Sequence, residues 1–164
     1  MDSGVTDGLA DLRVQLGGED QKTLFDYWLA KRGSRRMPAR ADLDPVDIVK
    51  LLPNLMLIDV IGAPPRFRYR LVGTRVVQAS GNEDRTGHFF EEYEFYHRYP
   101  HILAQYRQVV ATGSPLFAPE PFRNREHGTS YEVERLLLPL GPGDEKVDMI
   151  LVHFRFTSGP YSAG

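Results

Sequence analysis

The stretch from Arg66 to Gly87, RFRYRLVGTRVVQASGNEDRTG, constrains the fold more than any other part of the chain. Phe67, Tyr69 and Leu71 alternate with Arg66, Arg68 and Arg70. A period of two places the apolar side chains on one face and the arginines on the other, as in a half-buried strand. The segment then crosses Val72 and Gly73 and runs into a polar, glycine-bearing loop that closes on Thr86 and Gly87. A strand with one apolar face requires a sheet with something packed on that face.

The chain has 164 residues, enough for one domain with a core. Hydrophobic residues make up 41% and charged residues 26%, as in a globular protein. A formal net charge of -2 gives no global field toward nucleic acid or anionic lipid. The absence of cysteine excludes disulfides, thiolate nucleophiles and thiolate metal sites. No apolar run approaches the ~20 residues that span a bilayer, and no basic-then-apolar leader opens the chain. The expectation is a cytoplasmic protein with no membrane and no nucleic-acid partner.

Residues 1–18 are expected as a flexible tail, with Leu9, Leu12 and Leu16 in a brief helical stripe cut off by Gly17 and Gly18. A helix over Glu19 to Arg32 follows, with Leu24, Phe25, Trp28 and Leu29 on one face and Gly33 as its stop. Residues 33–41 read as a solvated basic linker carrying Arg35, Arg36 and Arg40. Asp44 and Pro45 suit the cap and first position of a short helix, with Leu43 and Ile48 as a hydrophobic staple. This helical extension occupies residues 19–53.

Residues 54–157 are expected as the folded domain, with 158–164 as a tail. Asn54 to Ile61 is an apolar run that reads as a buried strand, and Gly62 to Pro65 turns it into the Arg66 strand as a hairpin. Thr74 to Ala79 reads as a short helix. The longest helix is expected from Tyr99 and Pro100 to Thr112, ended by Gly113. Leu116 to Phe122, flanked and interrupted by Pro115, Pro119 and Pro121, reads as an edge strand. Asn124 to Thr129 is a polar turn. Ser130 to Leu140 and Val147 to Phe156 are long strands, and the last is apolar on both faces, as a central strand is.

A hairpin, several short helices, one longer helix and three antiparallel strands form the layout of a PAS domain. Tyr27 with Trp28, Arg36 with Pro38, Asp44 with Pro45, Leu52 with Pro53, Leu57 with Asp59, the run Phe67 to Thr74, and Thr86 with Gly87 together resemble one bacterial branch of PAS proteins. The resemblance covers about Leu24 to Phe156. It implies an α+β fold: a PAS-like five-stranded antiparallel sheet, helices on one face, an N-terminal helical extension and a ligand cavity between helices and sheet. It implies no catalytic residues.

On that fold, Tyr69, Leu71, Val76, Leu103, Tyr106 and Tyr131 are the candidates to line a cavity, with Arg75 or His88 as polar anchors. The Leu24, Phe25, Trp28 and Leu29 face is expected either in a homodimer interface or on the back of the sheet. The function expected is a sensory or regulatory module that acts through dimerisation or an unidentified protein partner, with no cofactor specified. The first alternative is a sensor with a dedicated small-molecule ligand. The second is a small cone-shaped α+β enzyme using His88 and Glu91 as an acid–base pair, although G-x-S-x-G, P-loop, G-x-G-x-x-G and H-E-x-x-H motifs are all absent. Some PAS domains hold haem through a histidine on the long helix. His97 and His101 stand four apart with Glu91, Glu92 and Glu94 nearby, the residue types a haem or metal would use, but Pro100 lies between them, and neither group is expected.

Overall fold

A computed structural model of the chain describes residues 3–124 and 129–160. The expected polar turn after Asn124 lies largely outside the described residues. Helices α1 (Ser3–Gln15) and α2 (Glu19–Arg32) lead into a 3-10 segment, Pro45–Asn54, and then strands β1 (Leu55–Ile61) and β2 (Arg66–Val72). Helices α3 (Thr74–Ala79), α4 (Glu94–Arg98) and α5 (Pro100–Thr112) follow, and strands β3 (Leu116–Asn124), β4 (Thr129–Leu140) and β5 (Met149–Phe156) end the described fold. The five strands form one antiparallel sheet in the order β2-β1-β5-β4-β3. The central place of β5 explains its two apolar faces, and β3 with its prolines is an edge.

Register sorts the sheet into two faces. Met56, Ile58, Tyr69, Val72, Arg135 and Val152 share the face toward α3, α4 and α5. Leu55, Leu57, Leu136, Leu151 and His153 share the outer face. Alternation in β2 breaks at one point: Leu57 pairs with Leu71, but Ile58 pairs with Tyr69. Arg70 is therefore the extra residue of a β-bulge. The bulge turns Val72 inward and sends Leu71 to the outer face, where it is 49% exposed.

The outer face is covered by α2. Leu24, Phe25 and Trp28 are fully buried, and the rings of Phe25 and Trp28 stack at 6.1 Å. Trp28 Nε1 donates to the Pro139 carbonyl at 2.9 Å, and the buried Gln21 amide donates to the Glu134 carbonyl at 2.9 Å. Of the two uses expected for this face, these three side chains take the back of their own sheet, which corrects their assignment to a dimer interface. Leu29 is only partly buried, against the same core.

Two N-terminal expectations are corrected. The flexible tail is instead helix α1, with Leu12 and Leu16 buried in the common core and Arg13 bridged to Asp26 of α2 through two contacts of 2.8 and 2.9 Å. The basic linker is not a solvated loop. Arg35 donates to the carbonyls of Lys31 and Arg32, and Arg36 donates to the carbonyl of Thr112 at the end of α5. Met37 is buried, and Pro38 accepts from the Gly141 amide at 3.0 Å. The segment straps the extension to the end of α5 and to the loop before β5.

The short helix at Pro45 is a 3-10 segment kinked at Ile48. Its start follows the sequence: Asp44 Oδ1 accepts from the Val46 amide at 3.0 Å, and Leu43 and Ile48 are both buried. Gly73 seats this segment on the sheet. A Cβ there would lie 2.3 Å from the Leu52 carbonyl oxygen and 2.5 Å from that of Pro53, so no other residue fits without moving backbone.

Candidate functional site

A cavity of about 220 Å³ lies between the inner sheet face and the helices α3, α4 and α5. Each wall has a local cause. The β2 alternation and its bulge supply Tyr69 and Val72. In α3, Val76 and Ala79 stand three apart and share the buried face. In α5, Ile102 and Tyr106 stand four apart and do the same. Alternation in β4 brings in Tyr131 and Arg135.

An aromatic cluster around the buried Phe90 backs the cavity. Phe90 stacks on Tyr96 at 4.2 Å and 5°, and its ring also meets Tyr69 at 4.8 Å and Tyr106 at 5.0 Å. The hydroxyls of Tyr69 and Tyr96 share a hydrogen bond. Burial pushes the Tyr106 phenol up to about 12 and raises those of Tyr69 and Tyr96 as well. These phenols are neutral hydrogen-bonding groups at any physiological pH.

Three arginines line the cavity; Arg98 is 40% exposed and 3.4 Å from Glu94, while Arg85 and Arg135 lie deeper. Arg85, from the loop after α3, lies with its guanidinium carbon 4.2 Å from the centre of the Tyr93 ring. It donates from Nη1 to the Tyr69 hydroxyl at 3.4 Å. Arg135, from β4, is 1% exposed and donates to the Gln105 side-chain oxygen. Gln105 in turn donates to Glu120 Oε1 at 3.0 Å, whose other oxygen lies 3.2 Å from His101 Nε2. A polar chain thus runs from the cavity wall to an exposed histidine near the β3 edge.

Of the eight residues expected at the cavity, Tyr69, Val76, Tyr106 and Tyr131 line it. Leu71 lies on the opposite face because of the bulge at Arg70. Leu103 is one position off the Ile102–Tyr106 row and packs on the core instead. Arg75 precedes the buried Val76 and falls outside the lining. His88 spends its carbonyl on the Tyr69 amide at 2.9 Å, capping the free edge of β2, while its exposed ring meets Glu92 at 3.1 Å. The acid–base pair of His88 with Glu91 does not form, since Glu91 bridges Arg66 at 2.6 Å. Among the lining residues that sequence reasoning missed are Arg85, Tyr93, Tyr96 and Arg135. Arg85 sits in an aperiodic loop, but Arg135 carried a signal: it occupies an inward position of the β4 alternation.

His97 Nε2 lies 3.2 Å from the Glu91 carbonyl, so it and His101 are engaged with different partners. Among the described residues no three histidine or carboxylate side chains converge as a metal would need. No described helix is long and apolar enough to cross a membrane.

A second concavity, of about 420 Å³, lies on the outer face beside the 3-10 segment. Leu43, Ile48, Leu52, Leu57, Leu71 and Leu151 make it almost wholly apolar, and Arg40 stands at its rim.

Comparison with known proteins fits this geometry. A family model described as PAS domain matches residues 18–153. The chain belongs to the PAS domain family. Domains of this family are generally sensory rather than catalytic. Among solved structures, the PAS fold aligns with an RNA-binding Light-Oxygen-Voltage receptor at a TM-score of 0.52 and 14% identity, over 71% of this chain and 33% of the receptor. This chain therefore spans about a third of that receptor. The LOV protein of Rhodobacter sphaeroides aligns at a TM-score of 0.50 and 16% identity, over 74% of this chain and 71% of that one. At such identities the likeness is one of fold. No curated protein sequence matches the chain.

Proposed function

We propose that this PAS domain is a sensor that holds a small molecule between α3, α4, α5 and the sheet, and that occupancy is passed on through a protein contact. The observation that carries the reading is the chemistry of the 220 Å³ cavity. A cavity wall that served only as core would be apolar, because each buried polar or charged group costs free energy unless it is partnered. Here the wall includes three guanidinium groups and several phenols. Ligand and helices meet there, so a bound molecule biases how the helices pack on the sheet.

Native mass spectrometry of the purified protein, set beside its denatured mass, tests this reading. The expected result is a carried small molecule that leaves on denaturation, or mass gained from a panel of small metabolites. A protein that carries nothing and gains nothing from the panel would contradict it.

The outer apolar groove favours a second, compatible reading for output, homodimerisation through Leu71 and Val49. Light scattering should then show a dimer that Leu71→Glu converts to monomer. A wild-type monomer at all concentrations would exclude self-association.

A further inference from the structure

We propose that the occupant of the inner cavity is a compact carboxylate with an aromatic body, its acid group held by Arg85. The inference rests on the sensory reading above and adds the ligand's chemistry.

The first line of argument is charge. Tyr69, Tyr96 and Tyr106 are neutral donors, so the permanent charges on the cavity wall are those of arginines and glutamates. The glutamates stand at the rim: Glu94 is 80% exposed and 3.4 Å from Arg98, and Glu83 is 58% exposed and 3.9 Å from Arg85. Arg85 itself is only 17% exposed in its side chain. Inner charge is therefore positive, and an exposed carboxylate at 3.9 Å compensates it weakly through solvent.

The second line is geometry. Stacking against Tyr93 occupies one face of the Arg85 guanidinium and leaves its edge of N–H donors in the plane. Nη1 donates to Tyr69 over a long 3.4 Å, and among the described residues Nε has no partner at hydrogen-bond distance, Glu83 Oε2 standing off at 3.9 Å. A carboxylate satisfies one fork of a guanidinium, Nε with Nη2 or Nη1 with Nη2, with paired acceptors.

The third line is size and lining. About 220 Å³ is below the ~300–1,000 Å³ of pockets for drug-sized ligands, so the occupant is compact. Met56, Val72, Val76 and Ile102 offer apolar contact to its body, and the rings of Tyr69 and Tyr96 offer stacking or edge contact.

Isothermal titration of the purified chain with benzoate and with benzamide, its neutral isostere, tests the assignment. Wild-type protein should bind benzoate at least ~10-fold more tightly than benzamide, a difference of about 1.4 kcal/mol. Arg85→Gln should reduce benzoate to the benzamide level, while Arg85→Lys retains part of the preference. Equal wild-type affinity for the two would overturn the inference without any variant, so it stands or falls even if Arg85→Gln does not fold. Inorganic phosphate that displaces benzoate and binds as tightly would overturn the aromatic body. A neutral molecule bound in place of benzoate would overturn the carboxylate assignment and leave the sensor intact. If neither probe binds and native mass spectrometry shows nothing carried or gained, both readings fail together.

Discussion

His153 sits on the outer face of β5, between Leu55 and Leu136 in register, and is 3% exposed. Burial away from water holds its pKa down to about 4. An unfolded chain protonates this imidazole near its ordinary value of about 6.5. Between those two values the unfolded state binds the extra proton, so stability is complete above about pH 6.5 and falls as pH drops toward 4. The loss reaches about 3 kcal/mol at the acid end. Denaturant melts from pH 7.5 to 4.5 should show this slope, and His153→Leu should flatten it; an unchanged slope in the variant would place the acid sensitivity elsewhere. The residue scale is also where sequence reading was weakest. Tyr69 and Tyr106 were legible because periodicity fixed their faces. Arg85 was not, because its place over Tyr93 depends on the path of a loop with no period.

The elements were largely legible, and the departures have physical causes. Strand β2 alternates without a break over the six residues Arg66 to Leu71, and only the apolar Val72 that follows departs from the period. The extra residue appears only when β2 is paired with β1. Leu71→Ser is therefore expected to change stability by no more than about 0.5 kcal/mol, as an exposed position allows. Trp28→Ala removes a buried ring and its bond to Pro139, and should cost about 3–5 kcal/mol. Chemical denaturation of the two variants side by side, at a concentration where the protein is monomeric, checks the assignment of faces; a large loss in Leu71→Ser would contradict the bulge. Helix α1 was visible as a leucine stripe, but Gly17 and Gly18 suggested a loose end. What orders it is the core it reaches through Leu12 and Leu16, which local sequence does not display. The arginines of the linker likewise read as a solvated set, since their backbone acceptors at Thr112 and at the end of α2 lie on other elements.

At the scale of the whole molecule, the sheet, the helical layer and the family were readable from the order of elements, and the cavity was not, because space between layers leaves no mark in sequence. Its location joins the three lines of the account. The inner face carries arginine and phenol chemistry, the outer face carries α2 and an apolar groove, and the sheet separates them. A molecule in the cavity touches α3, α4 and α5 and has no direct access to α1 or α2. Hydrogen–deuterium exchange with and without saturating benzoate tests this most directly. Exchange should slow in Thr74–Ala79, Glu94–Arg98 and Pro100–Thr112 and stay unchanged in Ser3–Gln15. Protection confined to the outer face, or none in the three inner helices while benzoate is bound, would contradict it.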